Sequence, residues 1–158
     1  MLGIGEKLPE FTVTGVKPKF MQHEQNGESA FEPITQDSFE GKWKVIFFYP
    51  KDFTFVCPTE IAEFARLSGD FEDLPIWQFA DTRGELVDGL GVREPSEGVA
   101  YRATYVVDPH NVIQHVYVTN LNVGRSPADT LRVLDALQTD ELCPCNRPVG
   151  GDILEPAA

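Results

Sequence analysis

The stretch that decides the fold reads Phe47-Phe48-Tyr49-Pro50-Lys51-Asp52-Phe53-Thr54-Phe55-Val56-Cys57-Pro58-Thr59-Glu60-Ile61. Its first part is an apolar strand, which runs into a loop. Its last part begins a helix, and the apolar residues of that helix recur at helical spacing as far as Phe71. Pro58 suits the first helical turn, where its missing N–H is not needed. The stretch therefore predicts a strand, a loop and a helix, with Cys57 at the helix start.

Cys57 is predicted to lie where several backbone N–H groups of the helix point outward without a partner. That end of a helix carries partial positive charge, which stabilises a thiolate and lowers the pKa of a thiol. The simpler alternative is a small thiol packed at a helix end, which is the commoner role of a lone cysteine. The surrounding sequence favours the reactive thiol.

The spacing Pro50-x-x-x-Thr54-x-x-Cys57 resembles the signature around the peroxidatic cysteine of the peroxiredoxins. The longer run from Phe48 to Glu60 is similar to the typical two-cysteine branch, the alkyl hydroperoxide reductases of AhpC type. The resemblance implies that Cys57 is the nucleophile, that Thr54 hydrogen-bonds near its sulfur and that Pro50 shields the pocket from water. Without the resemblance, Thr54 is an ordinary loop hydroxyl and Pro50 ends a strand for backbone reasons.

Length and composition are those of one globular domain. The chain has 158 residues, of which 42% are hydrophobic and 24% charged. The net charge of −12 argues against nucleic acid and anionic membrane surfaces as partners. No window approaches the roughly 18 apolar residues of a membrane-spanning helix. The first residues lack a basic region followed by an apolar run, so we read no signal peptide and expect a cytoplasmic protein.

The three cysteines are Cys57, Cys143 and Cys145. Their odd number and a reducing compartment argue against a static disulfide framework and favour reactive thiols. The three histidines are scattered, and none has a second ligand at metal spacing, so the sequence predicts no zinc site. His115 is most simply a half-buried or surface residue of a strand.

The chain before the helix of Cys57 predicts two strands and the loops around them. A short strand is expected at 11–14, an exposed polar loop at 21–33 and a turn at 39–42. The strand at 44–49 is an uninterrupted apolar run, which is typical of a strand covered on both faces in a parallel or mixed sheet. This pattern predicts an α/β fold, and the helix from 58 to 71 follows it.

The chain after that helix predicts strands at 74–79, 101–107 and 112–118, with a turn at 108–111 between the last two. Asp81 is expected to cap a helix that runs to Leu90 and ends at Gly91. Ser126 is expected to cap the last helix, with Pro127 at its first position. The inner face of that helix is predicted to comprise Leu131, Leu134 and either Leu137 or Gln138. Residues 143–158 read as an irregular tail.

This order of elements resembles the thioredoxin-like fold with peroxiredoxin elaborations, a mixed sheet flanked by helices. One junction departs from it. In the family, a further strand, turn and helix stand between the segments that correspond to 71–73 and 74–76. A strand–helix–strand crossover needs about 30 residues or more, and this junction has none. We therefore infer a missing strand–helix segment between Asp73 and Leu74, either deleted from the protein or left out of the sequence.

A second segment, from Gly98 to Pro109, is similar to the arginine-containing strand of the family. The resemblance implies that Arg102 faces the sulfur of Cys57, lowers the pKa of the thiol and holds the peroxide oxygens. It also implies that Glu60 orients Arg102 and that Arg125 is a further arginine near the site. From the residues alone, Arg102 would more often be a surface charge, and Glu60 would stabilise the helix N-terminus.

The third segment is Asp140-Glu141-Leu142-Cys143-Pro144-Cys145. By the resemblance, Cys143 is the resolving cysteine, which attacks the sulfenic acid of Cys57 on a partner subunit and forms an intersubunit disulfide. Cys145 resembles the third cysteine of a subset of bacterial AhpC proteins, and either passes the disulfide onward or is a spare thiol. The expected organisation is a thioredoxin-like domain at 1–142 and a tail at 143–158 that carries the resolving cysteine.

The family resemblance implies a thiol-dependent peroxidase with an antioxidant role. It would reduce hydrogen peroxide and organic hydroperoxides to water or alcohols, with no metal, haem or flavin. Electrons would come from a dithiol protein, such as a thioredoxin, an AhpF-type flavoprotein or an AhpD-type partner. Similar proteins form homodimers that assemble into rings, as decamers or dodecamers.

Two other functions remain open on the same fold. A thioredoxin-like disulfide oxidoreductase needs Cys-x-x-Cys at the helix start, and here the second position is Glu60. A non-catalytic redox sensor or holdase-like binding protein needs only one reactive thiol. A sensor is oxidised once, whereas a peroxidase turns over while reductant lasts.

Overall fold

The computed structural model describes residues 1–18, 25–50, 56–67 and 77–155. The strands in these ranges are β1 (Thr12–Val16), β2 (Phe31–Thr35), β3 (Lys44–Phe47), β4 (Gln78–Ala80), β5 (Arg102–Val107) and β6 (Ile113–Thr119). The helices are α1 (Cys57–Leu67), α2 (Glu85–Leu90) and α3 (Pro127–Gln138). No helix of the described ranges is both long and apolar enough to cross a membrane.

The described strands form two three-stranded sheets, ordered β2-β1-β4 and β3-β5-β6. The central strand of the second sheet, β5, is buried at all six positions. Tyr105 and Val107 on β5 pack in the main core together with Leu86 and Leu90 of α2. Burial of β5 on both faces matters for function, because its first residue is the charged Arg102.

The predicted strand at 44–49 exists as β3, although it ends at Phe47. Its apolar run predicted a parallel or mixed sheet, but in the described part of the chain β3 pairs only with β5, in antiparallel register. A parallel neighbour has to arrive by a crossover connection. The expected crossover falls at the Asp73–Leu74 junction, which lies outside the described residues.

The expected loop at 21–33 is wrong at its end, because Phe31, Glu32 and Pro33 belong to β2. This strand pairs with β1, and Val13 lies opposite Ile34 in the register. Pro33 suggested a loop, since proline cannot donate to a strand ladder. However, β2 lies at the edge of its sheet, where proline is tolerated.

The helix ends follow the predicted capping chemistry, with one shift in position. The N-cap position of α2 is Gly84, three residues after the predicted Asp81. The Asp81 carboxylate still accepts hydrogen bonds from the backbone N–H groups of Leu86 and Val87, at 3.0 and 2.8 Å. As predicted, Gly91 ends the helix in a left-handed conformation, with φ of 71°. The Ser126 side chain caps α3, with Pro127 at the first position.

The inner face of α3 has its two predicted leucines, Leu131 and Leu134, buried. Leu137 is half-buried and Gln138 is exposed, so the leucine continues this face. Beyond α3, residues 143–155 have no helix or strand, as predicted for the tail. Several expectations fall on undescribed residues: the helix end at 68–71, the strand start at 74–76, Thr54 and residues 156–158.

Candidate active site

Cys57 is the first residue of α1, and its side chain is only 1% exposed. The backbone N–H groups of Thr59 and Glu60 both donate hydrogen bonds to the carbonyl of Val56, at 3.1 and 3.3 Å. The Thr59 hydroxyl donates to the same carbonyl at 2.7 Å. These bonds start the helix immediately at Cys57, so its thiol lies at the positive end of the α1 dipole.

Arg102 lies against this thiol. Its Nη1 atom is 3.4 Å from Cys57 Sγ and donates to Glu60 Oε2 at 2.7 Å. Its Nε donates to the carbonyl oxygen of Leu121 at 2.7 Å. Because the side chain is only 3% exposed, the guanidinium acts on the sulfur with little screening by water. The structure thus excludes a surface position for Arg102.

Glu60 lies one helical turn beyond Cys57 and joins two arginines. Its carboxylate accepts from Arg102 Nη1, and from the backbone N–H and Nε of Arg125 at 2.8 and 3.0 Å. Burial raises the pKa of Glu60, but the hydrogen bonds from Arg125 and the charges of Arg125 and Arg102 outweigh burial and hold the pKa below its usual range. Glu60 is therefore a carboxylate at neutral pH.

Arg125 ties this cluster to the sheet. Its side chain is fully buried, and its Nη1 donates to the carbonyl of Ala103 at 2.7 Å and to the hydroxyl of Thr104 at 3.0 Å. Its Nη2 donates to the carbonyl of Phe48 just beyond β3, and its guanidinium lies over the Phe47 ring, 5.5 Å from the centroid. Phe47 in turn stacks on Phe64 of α1 at 4.1 Å. Arg125 thus connects α1 to β3 and β5.

The charges of this cluster favour a thiolate at Cys57. Two buried guanidinium groups, Arg102 and Arg125, surround one buried carboxylate, Glu60. With a neutral thiol the group carries one uncompensated positive charge, which is costly away from water. A thiolate at Cys57 would neutralise it. The site is therefore built for an anionic sulfur, and also for an anionic oxygen that forms close to that sulfur.

The remaining candidate residues are Pro50, Thr54, Cys143 and Cys145. Pro50 is half-buried beyond the end of β3. Thr54 falls outside the described residues. Cys143 is half-buried and Cys145 exposed, both beyond the C-terminal end of α3, and none of the three cysteines forms a disulfide in the described structure. The structure thus brings Cys57, Arg102, Glu60 and Arg125 together from three separate segments of the chain.

Sequence reasoning missed four groups that hold these arginines. Three are the backbone carbonyls of Leu121, Ala103 and Phe48, which leave no sequence signal. The fourth is Thr104, which is 0% exposed and accepts from Arg125. A signal for Thr104 did exist, because a hydroxyl within an apolar strand needs a buried partner.

Replacement of Glu60 by glutamine is expected to destabilise the fold by about 3 kcal/mol at neutral pH, because it leaves two buried guanidinium groups without a carboxylate. The contribution of Glu60 is complete above its unfolded pKa, near 4.5, and is lost as the pH falls through its lower folded pKa. Denaturant unfolding between pH 7 and pH 3 measures this: the wild-type advantage over Glu60→Gln should shrink on acidification.

The matched control is Glu63→Gln on the same helix, which breaks the exposed Glu63–Arg66 pair. Exposed pairs contribute little, so this variant should unfold close to the wild type. Equal stability of Glu60→Gln and Glu63→Gln at pH 7 would contradict the buried network.

Comparisons with known proteins show which family this chain resembles. A model of the AhpC/TSA family matches residues 4–77. Alkyl hydroperoxide reductase C of Mycolicibacterium smegmatis is 42% identical, over 92% of this chain and 90% of that protein. Peroxiredoxin-2 of Mus musculus is 33% identical, over 97% and 90%. The solved structure of Mycobacterium tuberculosis AhpC, at 40% identity, superposes with a TM-score of 0.79 over 92% of this chain and 98% of that one.

The alignments also bear on the missing segment. The alignment with the M. smegmatis protein runs over 176 positions, more than the 158 residues of this chain. Since it includes 92% of this chain, about 30 of its positions have no counterpart here, which is the length of a strand–helix–strand crossover. The difference in length supports an absent segment of the size inferred between Asp73 and Leu74.

Proposed function

This chain belongs to the AhpC/TSA family, and from that premise we propose how its residues reduce a hydroperoxide. The protein is a thiol-dependent peroxidase. The observation that carries the assignment of Cys57 is the contact of its sulfur, 3.4 Å from Arg102 Nη1, within a buried cluster to which the described residues contribute two guanidinium groups and one carboxylate. We assign Cys57 as the thiol that is oxidised, and Arg102, Glu60 and Arg125 as the groups that stabilise its anion.

In the first step, the Cys57 thiolate attacks one oxygen of the peroxide. A sulfur–oxygen bond forms, the O–O bond breaks, and the leaving alkoxide or hydroxide takes up a proton as alcohol or water. The sulfur becomes a sulfenic acid, oxidised by two electrons. Arg102 already directs Nη1 towards the sulfur, so it can donate to the oxygens as negative charge builds on them. Glu60 holds Arg102 in that orientation.

In the second step, we assign Cys143 as the resolving thiol. It attacks the sulfenic sulfur, forms a disulfide with Cys57 and releases water. A dithiol protein then returns two electrons, and a thioredoxin, an AhpF-type or an AhpD-type protein has suitable chemistry. Cys145, exposed two residues away, suits onward exchange with that reductant. The tail at 143–158 then acts as a unit apart from the domain at 1–142.

The assembly and the compartment are proposed on the family resemblance. A homodimer would supply Cys143 across the subunit interface, and dimers would assemble into a decamer or dodecamer. A cycle that returns every cysteine to a thiol suits a reducing compartment such as the cytoplasm.

Replacement of Cys143 by serine is expected to preserve the first oxidation and to abolish the disulfide. The wild type should consume many equivalents of peroxide while a dithiol protein is supplied, whereas Cys143→Ser should stop near one equivalent. Intact mass after one equivalent should show a covalent dimer for the wild type, and a monomer with one added oxygen for Cys143→Ser. Cys145→Ser is the control, and it should still form the disulfide.

A wild-type protein that also stops at one equivalent would be a redox sensor, and the peroxidase cycle proposed here would be wrong. A disulfide oxidoreductase is disfavoured on the geometry, because Glu60 fills the position of its second cysteine and binds two arginines there.

A further inference from the structure

The loop between β6 and α3, residues 120–125, binds two groups of the active site. Its Leu121 carbonyl accepts a hydrogen bond from Arg102 Nε at 2.7 Å. At its other end, the backbone N–H of Arg125 donates to Glu60 Oε1 at 2.8 Å. We call this segment the site loop. Because both contacts use backbone atoms of the loop, they depend on its backbone conformation rather than on the identity of its side chains.

The Leu121 carbonyl determines which way the Arg102 guanidinium faces. Glu60 holds the guanidinium at Nη1, at 2.7 Å, and the same nitrogen lies 3.4 Å from the sulfur of Cys57. A guanidinium is planar and directs its N–H groups in fixed directions. A contact at Nη1 alone leaves this plane able to turn about that contact, whereas a second acceptor at Nε fixes the plane. The Leu121 carbonyl is such an acceptor, and it thereby keeps Nη1 directed at the sulfur.

Hydrogen bonds, rather than buried side chains, hold the site loop in place. Asn120, Asn122, Val123 and Gly124 are all exposed. Within the loop, the N–H of Val123 donates to the Asn120 carbonyl at 3.2 Å, and the N–H of Leu121 donates to the Asn120 side chain at 2.7 Å. Segments that bury little apolar surface open locally at a low cost in free energy. The conformation of the site loop therefore depends on a small number of hydrogen bonds.

Thr119, the last residue of β6, supplies a hydrogen bond that closes the site loop. Its hydroxyl donates to the carbonyl of Val123 at 2.9 Å. In the sheet, Thr119 lies directly opposite Arg102 on β5. The hydroxyl thus connects the middle of the loop to the strand pair that carries Arg102. Since Leu121 lies between Thr119 and Val123 in the chain, this connection restrains the Leu121 carbonyl from both sides.

We propose that Thr119 is a positioning residue for peroxide reduction and acts on Arg102 through the Leu121 carbonyl. The proposal rests on the role assigned above to Cys57 as the oxidised thiol. The Thr119 hydroxyl is bound to Val123 rather than to the sulfur, so its effect is indirect. Without this hydroxyl, the site loop adopts other conformations in which the Leu121 carbonyl no longer accepts from Nε. In those conformations Arg102 is no longer directed at the sulfur or at the oxygens of the peroxide.

The first test measures the rate constant for oxidation of Cys57 by stopped flow, in a single turnover without reductant. Thr119→Val keeps the β-branched shape that suits a strand but has no donor. It should lower the rate constant about three- to tenfold, the factor that corresponds to the loss of one hydrogen bond. Thr119→Ser retains a hydroxyl and should react close to the wild-type rate. Thr14→Val, the same substitution at an exposed threonine of the other sheet, should have no effect.

A double variant separates positioning of Arg102 from other effects of the substitution. If Thr119 acts through Arg102, the two substitutions are not additive. In an Arg102→Met background, Thr119→Val should therefore lower the rate constant by less than about twofold. A loss that persists in full in this background would overturn the proposal, because Thr119 would then act by another route. Denaturant unfolding of each variant checks that the proteins compared are folded.

The second test needs no peroxide. The reduced full-length protein is treated with iodoacetamide across a pH series, and peptide mass spectrometry follows the alkylation of Cys57, which reports the fraction of thiolate. The rise in alkylation should move to higher pH in Thr119→Val and stay in place in Thr119→Ser. An unmoved rise in Thr119→Val would overturn the proposal, as would an unchanged rate constant for oxidation. If peroxide does not oxidise Cys57 even in the wild type, the proposed peroxidase function fails, and the alkylation profiles still decide whether Thr119 positions Arg102.

Discussion

Replacement of Cys57 by serine is expected to abolish catalysed peroxide consumption. Removal of an enzyme nucleophile typically costs a factor on the order of 10⁴ to 10⁶ in rate, which brings the reaction down to its uncatalysed level. Serine fits the same space at the start of α1, but its hydroxyl stays protonated where a thiol ionises, and its oxygen does not accept an oxygen atom from a peroxide. The measurement is peroxide decay under excess dithiol reductant, with equal protein concentrations.

The matched control for Cys57→Ser is Cys145→Ser, the same substitution at an exposed thiol. It should retain the first oxidation of Cys57 in full. Cys57→Ser should also stay folded, because Glu60 still pairs with both arginines through contacts that do not involve the sulfur. Multi-turnover consumption by folded Cys57→Ser would show that the oxidised thiol is another residue.

The position of Cys57 could be predicted from local sequence, but the position of Arg102 could not. A strand, a loop and Pro58 are enough to put Cys57 at a helix start. Arg102 is 45 residues away, and its own sequence context predicted a surface charge. It is buried because it is the first residue of β5, the central strand, and because Glu60 and the Leu121 carbonyl accept hydrogen bonds from it. Glu60 and the Leu121 carbonyl can be recognised as partners of Arg102 only in the tertiary structure. From the sequence, only the family resemblance placed Arg102 near the sulfur.

The end of β3 shows why the contacts of Arg125 escaped prediction. The N–H of Phe48 continues the ladder of β3 by donating to Ala103 at 2.8 Å. Its carbonyl instead accepts from Arg125. The run of apolar residues predicted regular strand pairing as far as Tyr49. Nothing in those residues indicates that the Phe48 carbonyl accepts a hydrogen bond from Arg125, which is 77 residues further along the chain.

The tail was predicted to be irregular because of its prolines and glycines, and it is irregular. Composition alone could not reveal that this segment buries Arg147 against Asp135. Proline and glycine determine which backbone conformations are available, whereas docking depends on a carboxylate that α3 presents twelve residues earlier in the chain. Turn residues therefore predicted the shape of the tail but not its attachment.

Replacement of Arg102 by methionine is expected to lower the rate constant for oxidation of Cys57 by a factor on the order of 10² to 10³, the usual cost of removing one donor aimed at developing negative charge. The variant loses the Nη1 contact to the sulfur. It also leaves Glu60 and Arg125 as a neutral pair, so that a thiolate now adds an uncompensated charge. Stopped-flow oxidation across a pH series measures the effect, and the rise in reactivity with pH should move to higher pH.

Two comparisons make the Arg102 result specific to its geometry. Arg102→Lys keeps the charge but cannot bind Glu60, the Leu121 carbonyl and the sulfur at once, because an ammonium lacks the planar fork of donors. Its rate constant should fall between those of the wild type and Arg102→Met. Arg93→Met breaks the more exposed pair with Asp88 and should oxidise at the wild-type rate. If Arg102→Met also reacted at the wild-type rate, the anion would be stabilised mainly by the α1 dipole, since that source of positive charge remains beside Cys57 when Arg102 is removed.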